Sequence, residues 1–193
     1  MEVMILALTG TPGTGKTTIA SLLQEKKILV IDLKQLAINH GFIESHDIKR
    51  DSIIIDVDAI NRFIINQYSS KDNIVIEGLV SHLLESVGEV IVFRCHPKVL
   101  RNRLIERKWS WNKIKENLEA EMLDVILCES IEKHGIENVY EIDTSNISIE
   151  KTVEAIYQKI NGEQTKYVIK PGSFDWSELV FDTTIMEEEE HGS

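Results

Sequence analysis

Cysteine, proline, positive charge and long apolar runs are all scarce in this sequence. Its 193 residues hold two cysteines and three prolines. Cys95 and Cys128 form no C-x-x-C pair and no two histidines stand at metal-ligand spacing, so a reduced, cytoplasmic chain with both thiols packed as core is expected. No apolar run approaches membrane-spanning length, and the short apolar start after Met1 and Glu2 runs straight into a glycine-rich loop, without a signal-peptide pattern. Lys plus Arg number 21 against 32 Asp plus Glu, a net charge of −11. Direct nucleic-acid binding is therefore not expected without a partner, and a basic protein suits such a surface better. The length fits one domain large enough for a sheet covered on both faces.

What is present is concentrated near the start. Residues 4–18 read MILALTGTPGTGKTT, in which Gly10, Gly15, Lys16 and Thr17 fit G-x-x-x-x-G-K-[ST] between a strand-like and a helix-like run. Converging backbone N–H groups hold a triphosphate best, and they require small residues where side chains would block approach. Gly10, Pro12, Gly13, Thr14, Gly15, Lys16, Thr17 and Thr18 are thus the expected ATP-phosphate cradle. Lys16 supplies a mobile cation, Thr17 a hydroxyl for Mg²⁺, and Thr18 begins the helix whose positive end faces the nucleotide. A Gly-rich turn before a helix is the plain alternative, and the agreement of strand, loop, Lys-Thr pair and helix weighs against it.

Five apolar runs, 3–8, 28–31, 73–76, 89–93 and 139–142, alternate with helical stretches and predict a parallel α/β sheet with helices on both faces. Ligands bind beyond the carboxyl ends of such strands. The residues at those exits are Gly10, Asp32, Glu77, Arg94 and Asp143. Glu77 is expected beside the loop, holding Mg²⁺ through water. Asp32 and Asp143 can equally be plain helix or turn caps. His82, five residues after Glu77, either reaches the site or lies on a helix surface.

The excursion between the second and third runs, about 33–68, reads as a lobe over a second substrate, with Lys34, Lys49 and Arg50 as cations for a monophosphate. Asp32, Arg50 and Arg94 are the acceptor-side candidates. Asp56 and Asp58 fit the start of the next helix as caps. After Pro97, Arg103 and Arg107 stand four apart on one helix face, a clamp for a transferring phosphate unless they are simply solvated with Arg101 and Lys108. Residues about 108–113, with Trp109 and Trp111, read as a small lid. A long helix is expected from 113 to about 134 on the stripe Ile114, Leu118, Met122, Val125, Ile126. The main domain is expected to span 1–161; residues 162–193 form an extension that docks through its apolar stretch 167–176 and ends in an acidic, disordered tail.

Taken together, GTPGTGKTT (10–18), R-D-S-x-x-x-D-x-D (50–58), IEG (76–78), VFRCHP (92–97), L-x-x-R-L-x-x-R (100–107), KIKENLEAE (113–121), EIDTS (141–145) and PGSFDW (171–176) resemble the archaeal and eukaryotic nuclear adenylate kinase/ATPase family. The phosphate loop alone is common to many NTPases, and the combination is specific. The resemblance implies a five-stranded parallel sheet of adenylate kinase type with a short lid, ATP and AMP as substrates, and weak ATP hydrolysis. It also implies a role in small ribosomal subunit maturation with a basic ribosomal protein as partner. The expected reaction is ATP plus AMP to two ADP with Mg²⁺, using Lys16, Glu77, Arg103 and Arg107; the alternative is an ATP-dependent assembly factor with little kinase activity. One position departs from the family: Leu79 stands where a histidine is common, so hydrolysis is expected to suffer more than phosphoryl transfer.

Overall fold

The computed structural model describes residues 5–47, 52–68 and 73–187. Five strands, β1 (Ile5–Gly10), β2 (Leu29–Asp32), β5 (Ile74–Glu77), β6 (Glu89–Arg94) and β7 (Val139–Asp143), form one sheet in the order β2-β5-β1-β6-β7. Every pairing in it is parallel. The strand period of two decides which residues meet which layer. Ile5, Ala7, Ile74, Ile76, Val90 and Val92 join one core, beneath α2 (Leu33–His40), α3 (Val57–Tyr68) and α6 (Val125–His134). Leu6, Leu8, Val75, Ile91 and Phe93 join the opposite core with α1 (Lys16–Glu25) and α7 (Ile149–Ile160). β1 is buried along its whole length, as the central strand must be.

Between α2 and α3 a separate antiparallel hairpin forms from β3 (Ile43–Asp47) and β4 (Ser52–Ile55). Lys49 and Arg50, expected to hold a monophosphate, lie outside the described residues. Asp56 accepts from the Ala59 amide at 2.8 Å at the start of α3.

A third core lies beyond the sheet's exit edge, where α4 (Pro97–Glu106) packs on α5 (Trp111–Met122). Pro97 opens α4 with His96 as its cap. The single long helix read over 113–134 is two helices. Asp124 adopts a left-handed φ of 54° between them and its carboxylate pairs with Arg94, so the stripe changes partners. Ile114, Leu118 and Met122 enter the third core, Ile126 packs against the first together with Leu127, and Val125, expected in the same stripe, is exposed.

After α7 the chain returns along β7. Ile169 bridges Glu141 in antiparallel sense, covering the sheet edge. Trp176 and Ile185, the latter on α8 (Thr183–Met186), are buried in the third core. Among the described residues no helix is long and apolar enough to cross a membrane.

Candidate active site

Register brings three sequence-predicted exits together. Leu8 pairs with Glu77, and Glu77 with Asp32, so both carboxylates emerge beside the loop that follows β1. Gly10 has φ +135°, and a Cβ there would lie 2.5 Å from the Phe93 carbonyl oxygen of β6. Gly13 has φ +98° and its missing Cβ leaves room for Leu100 and Leu104 of α4. Both positions need glycine, one for contact with a strand and the other with a helix.

Lys16 is buried and donates to the carbonyls of Gly10 at 2.6 Å and Thr11 at 3.1 Å. Burial lowers its pKa to about 8, against the opposing pull of Glu77 and Glu121 and with a further lowering by Arg107. Thr17 Oγ1 donates to Glu77 Oε1 at 3.0 Å. Burial raises the Glu77 pKa, opposed by Thr17 and Lys16. This hydroxyl and carboxylate are hard oxygen donors of the kind Mg²⁺ takes when phosphate and water oxygens supply the rest, so the pair fits that ion.

Pro12, Lys16, Thr17, Asp32, Lys34, Glu77, Leu79 and Trp109 line a cleft of about 270 Å³. A second cavity of about 350 Å³ shares Gly13, Gly15, Thr18 and Arg107 with it and adds Thr14, Ile19, Arg103, Thr144, Ile147, Ile149 and Thr152. The expected clamp is thus divided. Arg107 borders both spaces, whereas Arg103 borders only the second and is held by the Thr144 carbonyl at 2.6 Å and hydroxyl at 3.2 Å. The two tryptophans also part: Trp109 faces the cleft, while the Arg101 guanidinium lies 5.5 Å from the Trp111 ring.

Other expected positions are placed differently. Asp32 lines the cleft and also caps α2, accepting from the Gln35 amide at 2.9 Å. Arg94, expected on the acceptor side, is 1% exposed and turned inward, paired with Glu121, Asp124 and Glu141 beneath the Trp176 ring. Burial works to lower its pKa, but the three carboxylates outweigh this and hold the charge in place. His82 is not on a helix surface. It is buried, with Nδ1 2.9 Å from the Thr9 hydroxyl and Nε2 3.0 Å from Glu129, and burial lowers its pKa.

Two participants were missed. Thr144 donates to the Thr14 carbonyl at 2.8 Å and so touches the loop directly. Glu121 accepts from Thr11 Oγ1 of the loop. Its sequence signal was a carboxylate three residues after Leu118 and seven after Ile114, on the buried face of an amphipathic helix.

Residues 6–124 match the model of a family described as an AAA domain. A protein of Archaeoglobus fulgidus named "Putative adenylate kinase" is 46% identical over 178 residues, covering 91% of this chain and 94% of that protein. One of the same name from Methanococcus maripaludis is 38% identical, covering 92% and 98%. The chain belongs to this P-loop, nucleoside monophosphate kinase-like family. Its fold is shared by shikimate kinase from Acinetobacter baumannii in complex with shikimate, at a TM-score of 0.58 and 14% identity, over 85% of this chain and 96% of that one. At that identity the likeness concerns architecture alone. The family assignment agrees with the site, because the matched span contains the loop, Glu77, Arg103, Arg107 and Glu121.

Proposed function

We propose that this protein transfers the γ-phosphoryl group of Mg·ATP to AMP, yielding two ADP. The observation that carries the reading is the pair of spaces meeting at the loop and Arg107: one of about 270 Å³ lined by loop residues, Glu77, Asp32 and Lys34, the other of about 350 Å³ lined by Arg103, Thr144, Ile147 and Ile149. The name borne by the archaeal relatives supports it. An acceptor phosphate oxygen forms the new O–P bond as the bond between the β,γ-bridging oxygen and the γ-phosphorus breaks, with ADP leaving. Catalysis of this kind is mainly positioning and charge stabilisation. Loop N–H groups hold the phosphates, and Lys16 exchanges two loop carbonyls for phosphate oxygens. Thr17 as a direct ligand and Glu77 through water would hold Mg²⁺, which would neutralise charge on the phosphates. Arg107 stabilises the charge that develops on the group in transit. Asp32, Lys34 and Arg50 orient the acceptor, while Arg94 has no part at the reacting atoms because its guanidinium is enclosed.

Leu79, half exposed in the cleft wall beside Glu77, leaves the γ-phosphate facing an apolar surface with no imidazole to orient water. Hydrolysis is therefore a weak side reaction. The second reading, an ATP-dependent assembly factor that holds a basic small-subunit ribosomal protein, is favoured by the net charge of −11. Incubation with Mg·ATP and AMP, CMP, UMP, GMP or water as sole acceptor separates the two. Rapid ADP formation with AMP alone is expected; slow turnover unaffected by any acceptor overturns the kinase reading in favour of the second.

A further inference from the structure

The phosphate loop is held from beneath by a continuous polar line that the transfer chemistry does not use. Thr11 is its point of entry. The Thr11 carbonyl accepts from Lys16 Nζ at 3.1 Å, the Thr14 amide at 3.3 Å and the Thr14 hydroxyl at 2.8 Å, so the shape of the loop turns on this residue. Its own hydroxyl, in a side chain 2% exposed, donates to Glu121 Oε2. The other Glu121 oxygen accepts from Arg94 Nε at 3.0 Å and the Cys95 amide at 3.1 Å. Arg94 then pairs with Glu141 Oε1, and Glu141 Oε2 accepts from the Gly172 amide at 2.8 Å and the Ser173 amide at 3.3 Å. Trp176 closes the stack, its ring centroid 4.7 Å from the Arg94 guanidinium.

We propose that Glu121 is a positioning residue for the nucleotide site: it fixes Thr11, and through it the phosphate-binding shape of the loop, and is itself steadied through Arg94 and Glu141 by the C-terminal segment 169–176. Three donors converge on one carboxylate that water does not reach, and each such charge-assisted bond is shorter and stronger than a neutral one. The loop N–H groups must converge on phosphate before it arrives, and a loop free to turn at Thr11 loses that preorganisation. The Thr11 hydroxyl faces Glu121 rather than the cleft, so it contributes position, not contact with substrate. This inference rests on the loop being the Mg·ATP site and is independent of the acceptor.

The test compares Thr11→Val, which keeps the shape and removes the donor, with Thr11→Ser, which restores the donor. Binding of Mg·ATP is measured by titration calorimetry beside the melting temperature and the KM and kcat of the transfer reaction. Thr11→Val is expected to weaken Mg·ATP binding about tenfold, the scale of one lost hydrogen bond to a charged group, and to raise KM for ATP more than it lowers kcat. Thr11→Ser should bind within about twofold of the parent chain, a difference worth less than ordinary mutational scatter. Glu121→Gln, whose carbonyl still accepts from Arg94 and Cys95 while its amide donates to the Thr11 hydroxyl without the charge, should fall between them. Adding Thr11→Val to Glu121→Gln should cost less than the two single effects combined, since both act on one bond. Unchanged Mg·ATP affinity in Thr11→Val, with or without a lower melting temperature, overturns the proposal; so does loss of affinity that Thr11→Ser fails to restore. A parent chain that binds Mg·ATP but does not phosphorylate AMP sinks the acceptor reading and leaves this comparison intact, whereas one that binds no Mg·ATP sinks both.

Discussion

Lys16 is a buried ammonium held by carbonyls of its own loop. Desolvation brings its pKa to about 8, and the loop carbonyls of Gly10 and Thr11 hold the ammonium where, on the proposed reading, phosphate oxygens would replace them. Bound phosphate raises that pKa again, so nucleotide binding takes up a proton above about pH 8. Affinity for Mg·ATP should be level below that pH and fall by up to about tenfold per unit above it, as expected for one linked proton. Lys16→Met should remove the dependence along with most of the turnover, a loss of about 10²- to 10³-fold if it behaves as one stabilising donor does elsewhere. The same shift acts on folding with a defined sign. Between about pH 8 and the ordinary value of 10.5 the unfolded chain binds the extra proton, so this group's contribution to stability rises with pH across that window. Leu79 and His82 divide in the same concrete way. Leu79→His should raise ATP hydrolysis without a comparable rise in transfer to AMP. His82→Ala should act on stability instead, because it leaves a gap in a buried network and cuts the link between Glu129 and Thr9, whose hydroxyl keeps only the Leu79 carbonyl; a melting curve and a hydrolysis assay on both variants distinguish the outcomes.

At the level of elements, α4 carries two arginines four residues apart that serve different spaces. Arg103 is tied to Thr144 beside the second cavity, and Arg107, at the end of the helix, borders both. Arg103→Ala should therefore raise KM for ATP more than it lowers kcat. Arg107→Ala should lower kcat and kcat/KM together, the pattern of a contact made only in the transition state. Steady-state kinetics with varied ATP at saturating AMP checks both, and identical profiles would show that the two act as one unit. The break between α5 and α6 belongs to this scale as well. Apolar residues continue through it in the sequence, and the left-handed backbone of Asp124, with its carboxylate paired to Arg94, marks the turn.

For the molecule as a whole, the C-terminal segment is part of the fold around the site. It covers the β7 edge through Ile169, supplies two amides to Glu141 and buries Trp176 against Arg94. Trp176→Ala should cost about 3–5 kcal/mol in unfolding free energy, the usual range for truncating a buried large aromatic side chain. Because the same ring caps the line that reaches Thr11, Mg·ATP binding should weaken too, measured at a temperature where the variant remains folded. Denaturant titration and calorimetry together check this, and a stability loss below about 0.5 kcal/mol, within the range of ordinary surface changes, would refute the packing argument.

The sequence by itself determined the sheet, its strand exits and the phosphate loop, because these rest on short-range rules: period-two burial, glycine where a side chain cannot fit, and a Lys-Thr pair opening a helix. The place of Glu77 was legible on the same grounds, since it ends an apolar strand that pairs with β1 and so emerges beside the loop. Tertiary structure alone decided the fate of Arg94. Its position at a strand exit is the same whether the guanidinium points toward ligand or back beneath the sheet, and three carboxylates from distant positions 121, 124 and 141 settle the matter. The burial of His82 between Thr9 and Glu129 and the division of Arg103 from Arg107 were decided likewise. Each depends on which element lies opposite, and a charge four residues along a helix says nothing of its partner until another part of the chain has packed against it.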